Sequence, residues 1–245
     1  MGSPCLGMPA SIQPGDPEQV RDLFDRIAPA YDTLNDLLSL GLHRLWKRQA
    51  IAWLDPQPGQ RLLDICCGTG DLALVLAEKV RPGGLVLGLD AAAAPLERAR
   101  QRARALAWLP VEFRQADAAA TALADGWADA AVMAYGLRNL PDPAAGLKEL
   151  RRLLKPGGRA AVLDFNRPSD PQSATAAFQR FYLRSVVVPL ARIADLDQQY
   201  AYLESSLMSF PTGCVQEKLA LDAGFSRAHH RLLAAGQMGL LQLVA

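Results

Sequence analysis

The chain has 245 residues, half of them apolar, and a formal net charge of +1. That length suits one large domain with a substantial core, and the near-neutral charge gives no general field for nucleic acid, so no nucleic-acid partner is expected. No apolar run approaches the ~18–20 residues of a membrane span, and Cys5, Cys66, Cys67 and Cys214 show no metal-ligand spacing, which suits a reduced, cytoplasmic chain.

Residues 1–16, rich in Pro, Gly and Ser, read as a disordered lead-in, and 17–245 as a single domain. Asp16 before Pro17 is a good N-cap and first-turn pair, opening a helix from Pro17 to Ala28. A second helix is expected from about Leu42 to Leu54, so 17–60 forms an N-terminal helical part. From 61 to 165, buried-strand and helix patterns alternate. The strands are "RLLDICC" (61–67), "LVLGLD" (85–90), "VEFRQAD" (111–117), "ADAAVMA" (128–134) and "RAAVLDF" (159–165); the helices run Asp71 to Val80, Pro95 to Ala107 and Pro143 to Leu154. "RPGG" (81–84) and "KPGG" (155–158) mark turns, and the charge run "ERARQRARA" (97–105) reads as a solvated helix face. Segment 166–212 has the spacing of helices, and 213–245 that of a helix and two strands. This order implies a doubly wound α/β fold with a mostly parallel sheet.

In such a sheet, ligands bind where strands end and helices begin. At the first corner, "DICCGTGDLA" (64–73), Gly68, Thr69 and Gly70 permit a tight turn and close backbone approach. The glycines also fit a dinucleotide fingerprint. Asp64 and Asp71 on either side would repel a pyrophosphate and suit an ammonium and a sulfonium, which points to S-adenosylmethionine; the plainer reading of Asp71 is a helix N-terminal acid. Asp90 at the next strand end can accept both hydroxyls of a ribose, or cap the following helix. Asp117, with Ala118 after it, can take a hydrogen bond from an adenine amino group.

The fourth strand empties into "VMAYGLRNLPDP" (132–143). Gly136 is expected to turn the backbone sharply, leaving Tyr135 beside the cofactor and Arg138 and Asn139 at the mouth of the sheet. There the pair would stand near the transferred methyl, with Arg138 giving electrostatic help rather than acting as a free base, and Arg138→Ala would keep fold and cofactor affinity. Asn139 as a turn former and Arg138 as a surface ion-pair partner are the plainer readings. His43, His229 and His230 lack metal spacing, so no metal is expected.

"YDTLNDLLSLGLHRLW" (31–46), "CCGTGDLA", "GLRN", "LLKPGGRAAVLDF", "YAYLESSLMSFP" (200–211) and "AGF" (223–225) together resemble the signatures of the UbiE/MenG family of ubiquinone and menaquinone biosynthesis C-methyltransferases. The sequence departs from the family pattern at Leu34, at Asp164 and Asn166, and in "DAAAAPLERA"; Cys66-Cys67 and "GQMGLLQL" resemble its cyanobacterial branch. The resemblance implies a Rossmann-like, class I S-adenosylmethionine-dependent methyltransferase acting on a lipid-tailed quinol. In that branch the quinol is 2-phytyl-1,4-naphthoquinol; demethylmenaquinol and a polyprenyl benzoquinol are the alternatives. It further implies a helical lid over 166–212, with Phe24, Tyr31, His43, Phe181 and Tyr202 near the substrate and Tyr31 and Asp32 as further candidates for the proton path. Because the tail lives in lipid, peripheral membrane contact is expected, helped by Arg180, Arg184 and Arg192. Oligomeric state, monomer or homo-oligomer, stays open. An NAD(P)-dependent oxidoreductase and a non-catalytic cofactor-binding subunit are the competing classes; the first fits the glycines but needs a phosphate-friendly loop and a hydride-transfer set such as Tyr-x-x-x-Lys, and the second would tolerate loss of Arg138 and Asn139, which this sequence keeps.

Overall fold

A computed structural model describes residues 16–27, 39, 41–182, 185 and 197–245. Tyr31, Asp32, Leu34, Arg184, Arg192 and the expected lead-in before residue 16 lie outside the described residues, as does the side chain of Phe24.

Alternating burial along the central strands builds the sheet. In β1 (Arg61–Ile65), Leu62 faces one side and Leu63 and Ile65 the other, and in β4 (Ala128–Ala134) Val132 and Met133 divide in the same way. Both faces are covered, which is why these strands read as nearly continuous apolar runs. With β2 (Leu85–Asp90), β3 (Val111–Gln115), β5 (Leu154–Phe165), β6 (Arg227–Leu233) and β7 (Met238–Val244), they form one seven-stranded sheet in the order β3-β2-β1-β4-β5-β7-β6. All neighbours are parallel except β7, which runs antiparallel to β5 and β6.

One face is packed by α2 (His43–Leu54) and α3 (Asp71–Lys79), through Ile51, Leu54, Leu72 and Leu76. The other is packed by α5 (Pro143–Leu153) and α8 (Gly213–Asp222), through Leu147, Leu150 and Ala220. Asp142 caps α5 by accepting from the Ala144 N–H at 2.8 Å, with Pro143 in the first turn. Asp16 likewise caps α1 (Pro17–Ile27), accepting from the N–H groups of Glu18 and Gln19 at 3.0 and 3.1 Å. Asp25 of α1 in turn accepts from the Ala94 N–H at 2.8 Å, tying α1 to the first turn of α4 (Ala93–Arg104). After β5 come α6 (Ala174–Tyr182) and α7 (Asp197–Ser209), within the segment expected to be helical.

The "KPGG" stretch is a difference from expectation. The strand already begins at Leu154, paired with Ala128, and pairing resumes at Arg159 opposite Ala130. Residues 155–158 form a bulge rather than a free turn, because Ala245 accepts from the Gly157 N–H and donates to the Gly158 carbonyl.

Candidate active site

The strand order reverses between β1 and β4, and a cavity of about 290 Å³ opens at the carboxyl ends of these strands. Its floor is Ile65 and Leu89, and Pro95, Leu140 and Val20 of α1 form its sides. Asp90 and Asp117 stand on its wall, followed by Ala118, and Tyr135, Gly136 and Asn139 close the end nearest β4. A smaller cavity of about 30 Å³ shares Cys66, Gly68, Ala134 and Tyr135 with it and reaches Lys47, Asp64, Thr69 and Asp71.

Local chain geometry fixes the carboxylates. Asp64 is buried at the end of β1 and accepts from the Ala73 N–H at 2.8 Å, so it satisfies a donor in the first turn of α3 from outside the helix. Burial pushes its pKa up to about 7, against the opposing pull of Lys47. Asp90 accepts from Gly68 N–H at 2.8 Å and Ala92 N–H at 2.9 Å, and burial raises its pKa as well. A carboxylate has about four lone-pair sites, so each Asp90 oxygen can still take a hydroxyl from the cavity. Asp90 does not cap the following helix, whose N-cap is Ala92 with no side-chain bond; it holds the turn ahead of that helix and keeps room to accept a ribose. Asp117 accepts from the Ala119 N–H at 2.8 Å and remains exposed at the rim.

Gly70, in the left-handed region at φ 82°, leads into α3, and a Cβ there would lie 2.8 Å from the Phe113 ring. Cys67 is buried and Cys66 half-buried beside these acids, and desolvation first, then the carboxylate charges, push their pKa values well up. They stay protonated, consistent with a wall rather than a nucleophile.

Several expectations need correction. Asp71 is not free for a ligand cation: Lys47 and Arg102 pair with it at 3.1 and 2.7 Å and, against the effect of burial, hold its pKa low. Arg102 also donates to the Thr69 carbonyl and hydroxyl at 2.9 and 3.2 Å. The run 97–105 is therefore not wholly a solvated face, since one of its guanidiniums braces the glycine loop. Lys47 and Arg102 were missed because Lys47 lies 24 residues before Asp71 and Arg102 is masked by its neighbours' charges.

At β4, the left-handed residue is Tyr135 (φ 62°), while Gly136 has φ −100°. Gly136 is needed for space: a Cβ there would lie 2.6 Å from that of Cys66. The chain then makes a 3-10 turn, Leu137–Asn139. Asn139 lines the cavity, but Arg138 turns inward and is 9% exposed. Its Nε donates to Asp164 Oδ1 at 3.3 Å, its Nη1 donates to Ser206 Oγ on α7, and its guanidinium lies 5.6 Å from the centre of the Phe165 ring. Asp164, which also accepts the Arg138 N–H at 3.1 Å, is itself buried. The guanidinium is thus a buried ion-pair partner and does not stand at the cavity mouth.

Three residues expected at the substrate do not line the cavity themselves. His43 is 4% exposed and bonds Ser39 Oγ through Nδ1 at 2.9 Å, at the start of α2. Phe181 is 62% exposed on α6. Tyr202 is buried against Val20 and Leu23, and its hydroxyl donates to Asn139 Oδ1 at 2.9 Å.

The donor set fits S-adenosylmethionine. Buried Asp64 faces a small polar cavity that also holds Lys47, suiting a ligand end with both an ammonium and a carboxylate. Asp90 with Asp117 bounds a mainly apolar cavity, suiting ribose and a flat base.

Among solved structures, a SAM-dependent methyltransferase from Aquifex aeolicus superposes with a TM-score of 0.59 at 17% identity, covering 94% of this chain and 98% of that one. The [4+2]-cyclase SpnF superposes with a TM-score of 0.63 at 18% identity, covering 96% and 98%. At these identities the likeness establishes the fold. Sequence relatives are much nearer. The 2-phytyl-1,4-naphthoquinone methyltransferase of Synechococcus elongatus is 49% identical over 230 residues, 94% of this chain and 98% of its own. The chloroplastic 2-phytyl-1,4-beta-naphthoquinone methyltransferase of Arabidopsis thaliana is 46% identical over 224 residues, 90% of this chain and 85% of its own. The ubiE/COQ5 methyltransferase family model matches residues 13–241, and the chain belongs to that family of S-adenosylmethionine-dependent methyltransferases.

Proposed function

We propose that this enzyme methylates a ring carbon of reduced 2-phytyl-1,4-naphthoquinone, the step that completes phylloquinol. The observation that carries the reading is the near-full-length identity of 46–49% to relatives named for that substrate. The site is compatible with it. Asp64 and Lys47 would hold the amino-acid end of S-adenosylmethionine, Asp90 the ribose, and Asp117 with Ala118 the base. Bound there, the cofactor supplies an electrophilic methyl on a cationic sulfur.

The chain's task is to hold an electron-rich ring against that methyl and keep water away. Ile65, Leu89 and Leu140 provide apolar walls, and Asn139 offers an amide toward a ring oxygen. Arg138, held with Asp164, keeps the 3-10 turn that carries Asn139 in place. Tyr31 and Asp32 are retained as candidates for the proton path.

The test is to incubate pure protein with labelled methyl donor and a panel of naphthoquinols and benzoquinols, with and without dithionite. Methylation of reduced 2-phytyl-1,4-naphthoquinone, with none of the oxidised ring, is expected. A preference for the benzoquinol, or brisk methylation of the oxidised quinone, overturns the reading.

The phytyl tail also brings the enzyme to lipid. No helix among the described residues is long and apolar enough to cross a membrane. On α6, Phe178 and Phe181 are 49% and 62% exposed beside exposed Arg180, which supports contact with an anionic surface. Flotation with anionic liposomes at low salt should carry the protein upward, and replacing both Phe residues by Ser should reduce it. Equal flotation of the two proteins would remove α6 from the contact.

A further inference from the structure

The Asn139 side chain has one feature that a lining role alone does not explain: both ends of its amide are assigned. Nδ2 donates to the Tyr135 carbonyl at 2.8 Å, and Oδ1 accepts from the Tyr202 hydroxyl at 2.9 Å. A carbonyl oxygen only accepts, so the end facing Tyr135 must be the NH₂. The other end then needs a donor, and α7 brings one from 63 residues further along the chain. Tyr202 suits that task. Its ring is 4% exposed and packed on Val20 and Leu23, so the hydroxyl has a fixed position. Burial pushes its pKa up to about 12, so it remains a donor throughout the neutral range.

We propose that Tyr202 is a positioning residue, whose hydroxyl locks the Asn139 amide with its second N–H toward the ring oxygen of the substrate. This rests on the reading of the cavity as a quinol site. The amide has two N–H groups, and the Tyr135 carbonyl takes one. A ring oxygen losing its proton gains negative charge, and a pre-aligned donor stabilises that charge more than it stabilises the neutral hydroxyl. Rotated by half a turn, the same amide would offer an oxygen to an oxygen, which is repulsive. The Tyr202 hydroxyl therefore acts on the reaction through Asn139 without touching the substrate.

The test compares Tyr202→Phe, Asn139→Ala and the double variant with wild type. Phe keeps the ring packing and deletes one hydrogen bond. Single-turnover methyl transfer to reduced 2-phytyl-1,4-naphthoquinone should fall roughly ten- to a hundredfold in Tyr202→Phe, with Tm and cofactor Kd near wild type and the loss in kcat rather than KM. In the Asn139→Ala background, Tyr202→Phe should cost nothing further, because the two residues act as one unit. Wild-type rates in Tyr202→Phe, or losses that multiply in the double variant, overturn the proposal. A wild type silent toward the quinol breaks the substrate reading instead. In that case the Asn139 side-chain amide resonances still decide the positioning claim: unchanged shifts and unchanged rotation rate in Tyr202→Phe refute it.

Discussion

At the cofactor end of the cavity, Asp64 receives the N–H of Ala73, nine residues on, and Asp90 receives that of Gly68, 22 residues back. At the other end, Arg138 and Asn139 meet Ser206 and Tyr202, 68 and 63 residues further along. At the first end these two carboxylates are held by backbone N–H groups of the neighbouring loop and helix. At the second, the Arg138 guanidinium and the Asn139 amide oxygen are met by side chains, Asp164 of β5 and Ser206 and Tyr202 of α7. The first pair is therefore set by nearby chain, and the second depends in part on α7 being docked.

The largest expected effect follows from breaking the second end. Arg138→Ala strands Asp164, 3% exposed, without its cation, and should destabilise the protein by about 3–5 kcal/mol. Chemical denaturation measures it, and an unchanged midpoint would show that the pair is not the tether described here. This reverses the expectation from sequence that the variant keeps the fold intact. Next comes Asp90→Ala, which should weaken cofactor binding by about 1–3 kcal/mol, the scale of lost hydrogen bonds to a charged group. Calorimetric titration reads it, and wild-type affinity would take Asp90 out of the site.

A third effect is a pH dependence at Asp64. Burial lifts its native pKa from 3.8 to about 7. The unliganded native protein then holds a proton that the unfolded chain has released. This residue's contribution to stability is full below about 4 and lost as pH rises through about 7. Binding an ammonium needs the carboxylate, so cofactor affinity should fall by up to about tenfold per pH unit below 7 and level off above it. A flat affinity between pH 5.5 and 8, or an unchanged slope in Asp64→Asn, would contradict the assignment.

The same contrast explains what could be read before folding. Asp64, Asp90 and Asp117 announce themselves as acids ending apolar runs, because the period of a strand and the start of a helix are local signals. The element boundaries followed to within a few residues for the same reason. Whether Asp71 is free depends on Lys47 and Arg102, which approach from two other helices, and the sequence around Asp71 carries no trace of either. Arg138 looks the same in sequence whether its guanidinium faces solvent, a ligand or Asp164. That choice is made by Ser206 and by the burial of Asp164, both tertiary facts. The role of Gly136 was misplaced because a glycine after a strand suggests a left-handed turn, whereas here Tyr135 takes that conformation and the glycine makes room for Cys66.

The hydrogen bond from Ala94 to Asp25 has a consequence for ligand exchange. It latches α1 to the helix that follows Asp90, while Val20 and Arg21 of α1 border the same cavity. A ligand that touches those two residues favours the latched helix by the same factor by which the latched helix favours the ligand. Occupancy and helix docking are then one equilibrium seen from two sides.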